Sequence, residues 1–248
     1  MTSTSLPLGP SSGAGSRRHF LVTTIGTCLA SPPAWAAQTD AQSQSLTREQ
    51  RDRLTPAQVL EAMRLGNQRF LSGQSRLRNY RDQQRASAAG QYPAAVILGC
   101  IDSRAPAELI FDAGIGDTFN ARIAGNVVND DLLGSLEFAC SVAGAKVILV
   151  LGHTACGAIK GAIDDVEMGN LTGLLARIKP AIASSDYSGD KSAKNAAYVD
   201  AVARRNVVLG LETIRRRSPI LEQLEARRDI MIAGAMYDLA TGVVEFLG

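Results

Sequence analysis

Histidine is nearly missing from this sequence. The 248 residues contain two, His19 and His153, so a metal site of three histidines is beyond a single chain. Excess charge is missing as well: 26 Lys and Arg stand against 24 Asp and Glu, and without Arg17 and Arg18 near the start the two signs balance at 24 each. A balanced chain lacks the basic face that nucleic-acid binding needs. Its one basic cluster, Arg215-Arg216-Arg217, reads as a solvated helix face. Beyond the first 36 residues no apolar run approaches the ~20 residues that cross a bilayer. Of the four cysteines, Cys28 falls in that early segment. Cys100, Cys140 and Cys156 remain, an odd number that argues against a pure disulfide framework. Aromatics are scarce at 5%, while glycine and alanine are plentiful.

What is present suits one exported globular domain. With 46% apolar and 20% charged residues the chain can bury a substantial core. Residues 1–36 form a leader. Ser16-Arg17-Arg18-His19-Phe20-Leu21 opens an apolar stretch to Ala30, and Ala34-Trp35-Ala36 is a small-residue cleavage site that would leave Ala37 first. The arginine pair followed by Phe-Leu resembles the twin-arginine class of signal peptide, which carries folded proteins through the export machinery to the periplasm. Folded export fits a protein that must load a metal first.

Residues 37–54 read as a linker, 55–90 as a helical arm and 91–248 as the main domain. In the arm, Thr55-Pro56-Ala57-Gln58 is a capping box with proline at the first helical position. Val59, Met63 and Phe70 share one side, which must pack on the domain or on a partner chain. Short apolar runs then alternate with helical segments. The strands are expected at 94–98, 118–123, 146–151, 230–235 and 243–247, and the helices at 132–142, 156–166 and 196–217. Such alternation indicates an α/β fold with a mostly parallel central sheet flanked by helices.

Two segments carry chemistry: Cys100-Ile101-Asp102-Ser103-Arg104 and Gly152-His153-Thr154-Ala155-Cys156-Gly157. Each follows an expected central strand, and sites in open α/β sheets form outside the carboxyl ends of the strands. Two thiolates and an imidazole are a soft donor set suited to zinc, and three protein ligands leave a fourth position for water. Taken singly, each of these cysteines reads as a small core residue. Cys140 lies mid-helix among apolar neighbours and reads as core packing, the alternative being the fourth ligand of a closed structural site.

Cys-x-Asp-Ser-Arg followed by His-x-x-Cys resembles the signature of the β-class carbonic anhydrases, in their plant-like type. The similarity runs from about Gln91 to Ala162, and Tyr237–Phe246 also looks like that family. The resemblance implies one zinc ion per chain on Cys100, His153 and Cys156, with Asp102 and Arg104 as a dyad beside it. It implies that Gln91 and Phe119 line the substrate pocket. Phe138 stands where relatives often carry tyrosine, and Ile123 replaces a common asparagine, although Arg122, Gly125 and Asn126 remain. The implied reaction is reversible hydration of carbon dioxide to bicarbonate and a proton through zinc-bound hydroxide. The implied assembly is a homodimer or dimer of dimers, with Val59, Met63 and Phe70 gripping the partner. Two rival readings share the motif. One is a hydrolase of carbon disulfide or carbonyl sulfide on the same fold. The other is a non-catalytic zinc-binding module, which would have no need of Asp102 and Arg104.

Overall fold

The computed structural model describes residues 45–247. The leader and residues 37–44 of the expected linker lie outside them. Five strands form one sheet in the order β2-β1-β3-β4-β5. These are β1 (Ala95–Gly99), β2 (Thr118–Arg122), β3 (Val147–His153), β4 (Met231–Tyr237) and β5 (Val244–Leu247). The first four are parallel and β5 returns antiparallel to β4. β1 and β3 are buried at every position. That is why both read as unbroken apolar runs, as strands covered on both faces do.

Ten α-helices surround the sheet among the described residues: α1 (Arg48–Arg53), α2 (Pro56–Leu71), α3 (Tyr80–Ser87), α4 (Ala107–Ile110), α5 (Asp130–Glu137), α6 (Gly157–Ile163), α7 (Gly169–Ala176), α8 (Lys179–Ala183), α9 (Ala196–Arg217) and α10 (Pro219–Ala226). The helix expected over 132–142 divides: α5 ends at Glu137 and continues as a π-turn over Phe138–Val142. Successive strand residues point to opposite faces. Val96, Leu98, Ile148 and Val150 pack on the side of α9 and α10, and Ala95, Ile97, Val147 and Leu149 on the side of the arm.

The arm belongs to the domain rather than standing off it. Part of the expected linker is helix α1, capped by Thr47 and Gln50, with a buried Arg51 that donates to the Ala143 carbonyl. Val59 and Met63 of α2 are buried against Ile110, Phe111 and neighbouring residues of their own chain, with Phe70 packed on the same cluster. This corrects the expectation that these three grip a partner. The reason is a close approach that only glycine allows: a Cβ at Gly66 would lie 1.9 Å from the Phe111 carbonyl oxygen. Buried Asn67 completes the joint, donating to the Ile110 and Gly242 carbonyls and accepting from the Val244 N–H.

The order β2-β1-β3 sets up the site. The chain runs from β1 to β2 on one side, then crosses back to place β3 on the other side of β1. A crevice opens at such a switch point, at the carboxyl edge of the sheet.

Candidate metal centre

Gly99, the last residue of β1, lies opposite Leu151 of β3. Cys100 therefore emerges beside Gly152 and His153. A turn through Ala155, whose φ is +54°, brings Cys156 back to the start of α6. Cys100, His153 and Cys156 are all buried, and their ligand atoms lie within 4.8 Å of one another. The two sulfurs are 4.0 Å apart. Two sulfurs each ~2.3 Å from a tetrahedral zinc would stand ~3.8 Å apart, so the spacing fits that ion.

The local chemistry points the same way. His153 Nδ1 lies 2.9 Å from the Thr154 carbonyl oxygen, which accepts a hydrogen bond only if that nitrogen carries the proton. Nε2 is then a bare acceptor facing the sulfurs, buried and without a hydrogen-bond partner among the described residues. A buried polar atom in that condition is costly unless something binds it. The thiols tell the same story. The hydrogen bond from Cys156 holds Cys100 below the ordinary thiol range, while Cys156, sharing that bond and buried, is pushed above it. Neutral neighbours so close cannot both ionise, whereas a dication between them lets both become thiolates. Burial disfavours a charged His153 ring, but the Cys100 sulfur, the Thr154 carbonyl and the Asp102 carboxylate outweigh it and raise its pKa. The donor set fits zinc.

Asp102 and Arg104 form a two-point ion pair beside the triangle. Arg104 Nε donates to Asp102 Oδ1 at 2.9 Å and Nη2 to Oδ2 at 2.7 Å. The segment carrying them is not extended. The backbone turns, with Ala105 N–H donating to the Asp102 carbonyl at 3.0 Å and Arg104 N–H to Asp102 Oδ1 at 2.9 Å. Asp102 thus stays largely buried while the Arg104 side chain is 59% exposed. Hydrogen bonding from Arg104 holds the Asp102 carboxyl well below the usual carboxylate range, so it is ionised. Its Oδ2 is 3.9 Å from His153 Nε2.

Residues to which the sequence lent no role hold these groups. Arg122, at the end of β2, donates from Nε to the Cys100 carbonyl at 2.9 Å and from Nη2 to the Asp102 carbonyl at 2.5 Å. Gly125 N–H donates to Cys100 Sγ at 3.3 Å. Its φ is +66° and a Cβ there would lie 2.8 Å from Ile178, so only glycine fits. Asp200 and Asn206 of α9 bond the backbone at Ala155 and Gly125. The signal for Arg122 and Gly125 lay in the retained Arg122–Asn126 segment. For the α9 pair there was only the presence of polar residues within an apolar helix.

The sequence profile of the family described as carbonic anhydrase matches residues 95–244. Carbonic anhydrase 2 of Mycobacterium tuberculosis is 35% identical over 193 residues, covering 75% of this chain and 90% of that protein. A carbonic anhydrase of Mycolicibacterium smegmatis is 35% identical over 192 residues, covering 77% and 92%. Among solved structures, a β-carbonic anhydrase of Aspergillus fumigatus superposes with a TM-score of 0.60 at 27% identity, covering 66% of this chain and 79% of the other. The tetrameric β-carbonic anhydrases of Sordaria macrospora give 0.59 at 29% identity, covering 65% and 83%. This chain belongs to the β-class carbonic anhydrase family.

Within this family member, two of the residues that the resemblance assigned to the pocket are not brought to the triangle by their own chain. Gln91 precedes the amino end of β1, whereas Cys100 follows its carboxyl end, and a five-residue strand spans ~16 Å. It lines a surface groove with Ser45, Thr47, Ser87 and Tyr92. Phe119 sits opposite Val96, well before Cys100, with its ring edge-on to Phe138 at a centroid distance of 6.3 Å. Phe138 is 51% exposed. Cys140 is buried outside the triangle, and burial pushes its thiol up to about 12, as a core residue requires.

Proposed function

We propose that Cys100, His153 and Cys156 hold one zinc ion and that this site hydrates carbon dioxide reversibly to bicarbonate and a proton. The observation that carries the reading is the buried sulfur–sulfur–imidazole triangle, with Nε2 unpartnered, beside an intact Asp102–Arg104 pair. Zinc, when bound, supplies the Lewis acidity that ionises water near neutral pH. The chain's own residues do the rest. The Thr154 carbonyl accepts from His153 Nδ1 and so leaves Nε2 as the ring atom that would bind the metal. Asp102 is an acceptor only, with Oδ2 turned toward the triangle. It can take a hydrogen bond from the reacting water and so orient the water's lone pair to the substrate carbon. Arg104 keeps that carboxylate ionised and in place, and Arg122 anchors the loop carrying both.

The proposal extends to assembly and location. Gln91 and Phe119 can serve a pocket only if they come from a second copy, which supports a homodimer or a dimer of dimers. Arg17, Arg18 and the Ala34–Ala36 site support export by the twin-arginine route and a periplasmic location. No helix among the described residues is long and apolar enough to cross a membrane. The test is stopped-flow carbon dioxide hydration by protein of measured zinc content, with its mass in solution determined alongside. Hydration that tracks zinc at one ion per chain supports the reading. A chain that binds zinc but hydrates no carbon dioxide refutes it.

A further inference from the structure

Three ligands from two segments of the chain, Cys100 after β1 and His153 with Cys156 after β3, must be held in one place, and α9 offers two polar side chains that no catalytic role absorbs. Asp200, half-buried near its start, accepts a hydrogen bond on Oδ1 from the Ala155 N–H at 3.0 Å. Ala155 lies between His153 and Cys156 in the left-handed region, with φ +54°, where alanine rarely sits. Asn206, buried farther along the same helix, donates from Nδ2 to the Gly125 carbonyl at 2.8 Å. Gly125 in turn donates its N–H to Cys100 Sγ. One helix thus grips the backbone between two ligands and the glycine that bonds the third. Meanwhile Val199, Val202, Val207 and Ile214 pack it against the core.

We propose that α9 is the positioning element of the metal centre, with Asp200 and Asn206 as positioning residues that set its zinc affinity and the electron donation of the Cys100 sulfur. This rests on the zinc reading above. Asp200 supplies the acceptor that holds Ala155 in a conformation its side chain disfavours, and so holds the spacing of His153 and Cys156. Asn206 fixes Gly125, whose N–H bond draws charge from the thiolate. Losing a partner that orients a ligand in this way typically weakens metal binding by ~10–100-fold.

The experiment measures zinc dissociation constants by competition with a chromophoric chelator, and the thiolate-to-metal absorption of the cobalt(II)-substituted protein, on the full chain. Asp200→Ala and Asn206→Ala should each weaken zinc binding ~10–100-fold. Asp200→Asn, whose amide oxygen can still accept from Ala155, should restore affinity close to wild type. In Asn206→Ala the cobalt charge-transfer band should move to longer wavelength, because a sulfur stripped of its N–H bond gives up electrons more easily. If Asn206→Ala does not fold, Asn206→Ser, too short to reach Gly125, carries the same expectation. Arg204→Ala, which removes an exposed ion pair between this helix and Glu245 of β5, should change neither readout. Unchanged zinc affinity and an unchanged cobalt spectrum in the alanine variants would overturn the role of α9, even if their melting temperatures fall. A wild-type chain that takes up no zinc would overturn the zinc reading itself.

Discussion

At the scale of single residues, the chemistry rests on which side chains can be charged together. Cys100 and Cys156 can both ionise only with a cation between them, and His153 Nε2 has no other partner among the described residues. Cys100→Ser, His153→Ala and Cys156→Ser are each expected to abolish stoichiometric zinc binding, measured by metal analysis after dialysis. Cys140→Ser should leave zinc content unchanged, because Cys140 lies outside the triangle; loss of zinc there would mean a closed four-ligand site. Asp102→Ala should retain zinc and lower the hydration rate by ~10²-fold or more, the scale of a positioned acid–base group. Equal rates for wild type and Asp102→Ala would reduce the dyad to scaffolding. The Cys100–His153–Cys156 group and the Asp102–Arg104 pair were legible in the sequence as a candidate site because their side-chain types and short spacings are chemically restrictive. Arg122, Asp200 and Asn206 were not, because each acts through a backbone group that only the folded chain brings near.

At the scale of elements, polar joints decide how helices meet the sheet. Asn67 fastens α2 to the last residue of α4 and to the chain entering β5 with three buried hydrogen bonds. Asn67→Ala strands two carbonyls and an N–H, at ~1–3 kcal/mol for each group left unsatisfied. The arm should then loosen, giving faster proteolysis within 56–71 than in the sheet; unchanged cleavage would show that Val59 and Met63 hold it unaided. The Arg215–Glu225 pair ties α9 to α10 and also bonds both backbone groups of Ile232 on β4. Arg215 lowers the Glu225 pKa from its ordinary 4.5. A carboxyl depressed in the folded state stabilises it above the unfolded pKa, and that stabilisation disappears as pH falls through the folded value. Glu225→Gln should therefore lower the melting temperature at pH 7, by the equivalent of ~1 kcal/mol or less because the pair is partly exposed. The difference should shrink at acid pH, as Glu225 takes up its proton in the folded state. A gap of equal size at pH 7 and at acid pH would assign the effect to packing instead of charge.

At the scale of the whole molecule, the homodimer or dimer of dimers proposed above rests on Gln91 and Phe119, which lie away from the metal triangle of their own chain. The export proposed above would add a constraint of its own: a metal loaded in the cytoplasm survives only a route that moves folded protein. Replacing Arg17 and Arg18 by lysine is expected to leave uncleaved protein in the cytoplasm, seen by fractionation and amino-terminal sequencing. Periplasmic protein that still begins at Ala37 would eliminate the twin-arginine route.

The sequence by itself determined the parallel α/β class, the long helix 196–217 and the residues that meet as the Cys100–His153–Cys156 group and the Asp102–Arg104 pair. Buried parallel strands must be continuously apolar, and a soft three-ligand zinc set admits few residue types. Only the tertiary structure decided the rest. It showed that part of 37–54 is helix α1 and that Val59 and Met63 face their own core, because Gly66 admits the Phe111 backbone. It also showed that Asp102 meets Arg104 across a turn and that α9 reaches the backbone at Ala155 and Gly125. Those outcomes depend on which surfaces come within hydrogen-bond or van der Waals distance, and local residue patterns carry no record of such distances.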